Sequence, residues 1–192
     1  DYVNTESSRV AAGLGTIAKV VSGGKEIYRH RLSFADAARR IDRYYRPYHR
    51  ALESLIGETR SRFGYCFVVD CHSMPSIGDP LDPDVGRGRA DFVVGDCFGS
   101  ACAPYITDAI EEHLDALGYV VVRNKPFAGG FTTRHYGNPR EGVHTVQIEI
   151  NRVLYMDEMR IEKNSNFDRM AAHMTEIIET LARLTAQDLA AE

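Results

Sequence analysis

No run of apolar residues in this 192-residue chain approaches the length needed to cross a bilayer, and no signal-peptide pattern opens it. These absences exclude a transmembrane helix and point to the cytoplasm. An excess of positive charge is missing too. The 23 Lys and Arg stand against 27 Asp and Glu, for a net charge of −4 and a pI near 6.0. Binding to nucleic acid or to an anionic membrane therefore has no electrostatic support, and a small-molecule partner is expected. Cysteine is scarce, at four residues (66, 71, 97 and 102). The two C-x4-C spacings are looser than a zinc knuckle, which leaves buried free thiols as the simplest reading. Neither H-E-x-x-H nor G-x-S-x-G occurs, and there is no internal repeat. Gly13-Leu14-Gly15 lacks the third glycine of a phosphate loop. Residue 1 is Asp rather than Met, so the chain is expected to begin inside a longer gene product.

What is there is 44% hydrophobic and 26% charged, enough for one sizeable core, and residues 1–192 are read as a single α/β domain. Ile17-Ala18-Lys19-Val20-Val21 and Glu26-Ile27-Tyr28-Arg29 flank Ser22-Gly23-Gly24-Lys25 and predict a hairpin. Ser33-x-x-Asp36 predicts a capped helix start. Phe34, Ala38, Ile41, Tyr45, Tyr48, Leu52 and Leu55 then form an apolar stripe that Pro47 interrupts. Strands are predicted over 65–70, 91–96 and 119–122. Between them lie a Gly-, Pro- and Asp-rich loop over 77–89 and a helix that Pro104 opens and Gly118 ends. This β–α–β order calls for a mostly parallel or mixed sheet flanked by helices. Residues 123–142 read as a long functional loop. The stretch 143–150 alternates, with Val146, Ile148 and Ile150 on one face and Thr145, Gln147 and Glu149 on the other. A last helix, capped by Asn166 or Ser165, carries a stripe of Phe167, Met170, Met174, Ile177, Leu181 and Leu184.

Chemistry gathers where Phe67-Val68-Val69 runs into Asp70-Cys71-His72-Ser73-Met74-Pro75-Ser76. Residues just past the strand ends of a parallel sheet collect at one edge, which predicts that His72, the 124–136 loop and Glu149 meet. A neutral imidazole can ligate zinc, and a nearby carboxylate can take a proton from the activated water. An arginine can hold a substrate carboxylate through two parallel hydrogen bonds. Together these describe metal-assisted amide hydrolysis. Each residue also has a plainer reading: His72 as a hydrogen-bonded turn histidine, Arg134 and His135 as a solvated loop, Glu149 as a solvated strand residue. Against the last stand two flanking isoleucines, which suggest a strand too buried for an idle carboxylate. His173-x-x-Glu176 and Glu141-x-x-His144 have ligand-like spacing, but the first sits in an amphipathic helix and the second at a turn. Cys71 beside His72 opens a cysteine-based amidase reading, weakened because chain neighbours rarely present thiol and imidazole to each other.

Four blocks, in order, carry a family resemblance: Tyr45-Arg46-Pro47-Tyr48-His49-Arg50-Ala51-Leu52, Asp70-Cys71-His72-Ser73-Met74-Pro75, the run from Asn124-Lys125-Pro126-Phe127 through Arg134-His135-Tyr136-Gly137, and the run from Gly142-Val143-His144 through Gln147-Ile148-Glu149-Ile150-Asn151-Arg152. The chain resembles the N-formylglutamate amidohydrolases from about residue 4 to about residue 158. The resemblance implies a zinc hydrolase related to the zinc carboxypeptidases, with a phosphorylase/hydrolase-like α/β fold, that converts N-formyl-L-glutamate to formate and L-glutamate in histidine breakdown. It implies His72 as a zinc ligand, Glu149 as the general base, and Arg134, with His135 and Asn124, as substrate-binding residues. Family members also carry an earlier Pro-His-Ser-Gly-like turn and a following acidic residue, by analogy the first two zinc ligands. Nothing in residues 1–192 matches that region, so the other ligands are expected outside this chain. A catalytically silent domain, or a hydrolase of another N-acyl amino acid, remains the alternative.

Overall fold

The computed structural model describes residues 8–11, 13–21, 24–80 and 82–184. They fall into two units, one made of the chain up to Leu55 with Gly78–Arg87, the other of Ile56–Ile77 with the chain from Gly88 onward.

The first unit opens with α1 (Ser8–Ala11). The predicted hairpin reduces to one antiparallel bridge between Val20 and Glu26, and its turn residues Ser22 and Gly23 lie outside the described residues. Helix α2 (Phe34–Arg40) starts as its sequence demands, with the Asp36 amide donating to Ser33 Oγ at 3.1 Å. Proline has no N–H to give and its ring crowds the carbonyl four residues back. The chain meets Pro47 with a π-helical turn over Ile41–Tyr45, in which the Arg46 amide reaches Ile41 O, and α3 (Arg46–Phe63) follows. The predicted interruption is thus a widened turn. The apolar stripe does not form a core: no described residue of these helices is buried, and Phe34 is 89% exposed.

In chain order the second unit holds β1 (Cys66–Met74), β2 (Phe92–Gly95), α4 (Pro104–Ala116), β3 (Val121–Arg123), α5 (Phe131–Tyr136), β4 (Val143–Asn151), the small ladder of β5 (Met156–Asp157) and β6 (Glu162–Lys163), and α6 (Phe167–Arg183). The main sheet is mixed, in the order β1-β4-β2-β3, with β1·β4 and β2·β3 parallel and β2·β4 antiparallel. Strand alternation sends Val146 and Ile148 of β4, with Phe92 and Val94 of β2, to one face. There they join Ile106 and Ile110 of α4 and Met170, Ile177 and Leu181 of α6 in the core. Each fully buried Phe, Ile or Leu contributes about 1.5–3 kcal/mol. Pro104 starts α4, where its missing N–H costs nothing, and Gly118 follows its end at φ +86°. Arg123 of β3 clasps Glu111 and Asp108 of α4, tying crossover helix to strand. The sheet's other face carries Asp70 and His72 of β1 and Thr145, Gln147, Glu149 and Asn151 of β4 between buried apolar residues such as Met74 and Val93.

Candidate active site

In parallel pairing, partners in register share a face. Asp70 pairs with Gln147 and His72 with Glu149, so four polar side chains occupy adjoining rows of one sheet face. His72 was expected just past the strand. It sits inside β1, which runs on to Met74, because strand pairing with β4 continues to Asn151. Its Nε2 lies 3.1 Å from Asp70 Oδ1, two residues back on the same face, and the imidazole is half exposed. A carboxylate on one ring nitrogen orients the ring and leaves the other nitrogen for a ligand.

Glu149 is buried, at 7% exposure. Burial pushes its carboxyl above the usual range, and the neighbouring His72, the Gln147 amide and Arg152 oppose the rise without cancelling it. A raised carboxyl pKa suits a group that must accept a proton and release it again near neutrality. Gln147, also buried, donates from Nε2 to Glu149 Oε1 at 2.7 Å and accepts the Gly130 amide on Oε1 at 2.7 Å.

That second bond fastens the segment after β3 onto the polar face. The segment crosses directly over Gly95, the β2 residue in register with Gln147. A Cβ on Gly95 would stand 2.8 Å from the Ala128 carbonyl carbon and the Gly129 nitrogen, so only glycine admits the crossing. Gly129 turns at φ +119°, and α5 begins after Gly130. The expected long loop is therefore partly helical, since Phe131-Thr132-Thr133-Arg134-His135-Tyr136 contains no helix breaker. Arg134 and His135 are exposed on this helix, and the His135 ring stacks on Phe131 at 4.7 Å between centroids. Asn124 has a structural task. At φ +58° its Oδ1 accepts the Asp96 and Phe98 amides while its Nδ2 donates to Asp96 Oδ1, closing the turn after β2.

The other chemical candidates are placed elsewhere. Alternation puts Cys71 on the face opposite His72, and burial with the Asp70 charge pushes its thiol up, away from the reactive thiolate. His144 is a core residue, its Nδ1 accepting the Ala103 amide at 3.2 Å, and Glu141 pairs with Arg60. His173 meets the Tyr119 hydroxyl at 2.8 Å and Glu176 approaches His113 at 3.4 Å, contacts that join α6 to α4 and to the residues before β3.

Gln147 and Asp70 are the site residues that sequence reasoning underweighted. The available signal was the two-residue period, which places 70 with 72 and 147 with 149. Among the described residues no three His, Cys, Asp or Glu side chains come close enough to hold a metal. His72, with Asp70 behind it, has the chemistry of one zinc ligand. No helix among the described residues is long and apolar enough to cross a membrane.

Residues 3–156 match the family described as N-formylglutamate amidohydrolase. The N-formylglutamate deformylase of Pseudomonas aeruginosa is 34% identical over 151 residues, covering 77% of this chain and 55% of that protein. That of Pseudomonas putida is 35% identical over 122 residues, covering 62% and 44%. The chain thus spans about half the length of the curated relatives it matches. A crystal structure of N-formylglutamate amidohydrolase from Ralstonia eutropha has a TM-score of 0.80 at 37% identity, over 92% of this chain and 62% of that one. A gene product of Agrobacterium tumefaciens, at 23% identity and TM-score 0.60 over 82% of this chain and 60% of that one, shares the fold.

Proposed function

The chain belongs to the N-formylglutamate amidohydrolase family, and from that premise we propose that it hydrolyses the formyl amide of N-formyl-L-glutamate to formate and L-glutamate. The observation that carries the reading is the pairing of His72 with Glu149 in register on one polar sheet face, with the Gln147-anchored helix of Arg134 and His135 beside them.

Glu149 takes a proton from the attacking water as the water oxygen bonds to the formyl carbon. As the C–N bond breaks, Glu149 returns that proton to the departing nitrogen, which leaves as the amine of glutamate. A buried carboxyl with a raised pKa is matched to both transfers. Arg134 offers the planar fork that pairs with a substrate carboxylate, and no carboxylate among the described residues occupies it. His135 stands next to it, and Asn124 retains an amide hydrogen for substrate while holding the β2 turn. His72 is proposed as one zinc ligand, Asp70 as the acceptor that orients it, and further ligands would come from outside the described residues. The chemistry such an ion supplies is polarisation of the carbonyl and acidification of the water. The cytoplasm and histidine breakdown are the setting this reading implies.

The test is Glu149→Gln in the natural full-length protein. Loss of the base is expected to lower kcat by about 10²–10⁴-fold with folding intact. Near-normal deformylation by this variant would sink Glu149 as the base, and absence of deformylation by the unaltered protein would favour a silent or differently acting domain. A cysteine-based reaction would instead be abolished by Cys71→Ser, which is expected here to leave activity within about twofold, because the thiol lies on the other face of the sheet.

A further inference from the structure

Gln147 joins the two halves of the polar face, and the chemistry of its bonds removes any ambiguity about its orientation. The Gly130 amide can only donate, so the atom facing it must be the carbonyl oxygen of the Gln147 side chain. The Gln147 amino group is therefore the end that meets Glu149 Oε1. One oxygen of the base is thereby occupied as an acceptor, and the exchangeable proton is left to the other.

Resting on the reaction proposed above, we infer that Gln147 is a positioning residue with two separable tasks. Through Nε2 it holds Glu149 so that Oε2 performs the proton transfers. Through Oε1 it holds the Gly130 turn, and with it the start of the helix that carries Arg134, whose own amide bonds back to Gly130 O at 3.3 Å. The first task serves the chemical step, because a carboxylate rotated out of line loses the geometry a proton transfer requires. The second serves substrate binding. Both Gln147 and Glu149 are buried, at 4% and 7% exposure, so water does not readily replace either bond. Gly95 and Gly129 permit the close approach on which the second bond depends.

Two substitutions separate the tasks, measured beside Glu149→Gln in the full-length protein. Gln147→Glu keeps an oxygen that accepts the Gly130 amide but replaces the neutral donor with a second carboxyl. Two buried carboxyls in contact share one proton, so Glu149 is no longer a base held by a fixed donor. It is expected to lower kcat about 10–100-fold, the range found when a supporting partner is removed, with KM for N-formyl-L-glutamate within about threefold of wild type. Gln147→Leu loses both bonds and is expected to lower kcat similarly while raising KM about tenfold, the equivalent of one neutral hydrogen bond. A residue that merely fills space moves both variants alike, so equal kcat and KM values for the two overturn the inference. Wild-type kcat in Gln147→Glu overturns it as well. Should Gln147→Leu not fold, calorimetric binding of L-glutamate to Gln147→Glu decides: unchanged affinity with reduced kcat supports the division, and weakened affinity refutes it. Activity surviving in Glu149→Gln would instead overturn the reaction on which the inference rests, whatever Gln147 does.

Discussion

The neutral His144 ring is held in one tautomer by a single backbone amide. The Ala103 N–H donates to its Nδ1, so that nitrogen carries no proton and the neutral ring keeps its hydrogen on Nε2. Burial pushes its pKa below the ordinary 6.5. The unfolded chain therefore binds this proton more readily than the folded one. The contribution to stability is complete above about pH 6.5 and is lost as the pH falls through the lower, folded value. His144→Gln, which accepts the same amide but does not titrate, is expected to flatten the acid side of a melting-temperature profile below pH 6.5. An unchanged acid slope would show that other groups govern it. From sequence, Glu141-x-x-His144 had ligand-like spacing, but the alternation that sets Val146 and Ile148 on one face also places His144 with them, on the apolar side. Glu149 was legible because its isoleucine neighbours implied burial. Asn124 was legible as special but not as structural, since its partners Asp96 and Phe98 lie across a turn.

At the scale of elements, the crossing of the 128–130 segment over β2 decides the site. It depends on Gly95, where an added methyl would meet main chain rather than a side chain able to rotate away. Gly95→Ala is expected to destabilise the protein by about 1–3 kcal/mol in denaturant titration, the usual cost of overpacking. It should also raise KM as the Gly130–Gln147 bond lengthens. A variant as stable as wild type would mean that the segment can lift at no cost. Strands β1 to β4, α4 and α6 were legible in place from their periods and stops, Gly118 among them. But β1 runs four residues past its expected end at Asp70, and the two-residue strands β5 and β6 are too short to show a period. Helix α5 was not, since its six residues between glycines are too few to show a helical period. Pro47 announced an interruption, but whether it becomes a break or a π-helical turn depends on which carbonyl the Arg46 amide finds.

For the molecule as a whole, the expected outcome concerns metal. Elemental analysis of the full-length protein is expected to give one zinc per chain. His72→Ala should lose it, and Asp70→Asn should weaken it about 10–100-fold through the orientation of His72. Tight stoichiometric zinc in His72→Ala would remove His72 from the ligand set. The sequence by itself determined the family and the α/β class, because motif order, two-residue alternation and helix stops are local and survive in a linear string. Only the tertiary structure decided that β4 lies between β1 and β2, parallel to one and antiparallel to the other. That choice places His72 beside Glu149, while alternation within β1 puts Cys71 on the opposite face. Strand order and register come from burying one apolar sheet face under α4 and α6, a long-range packing requirement that no local pattern encodes.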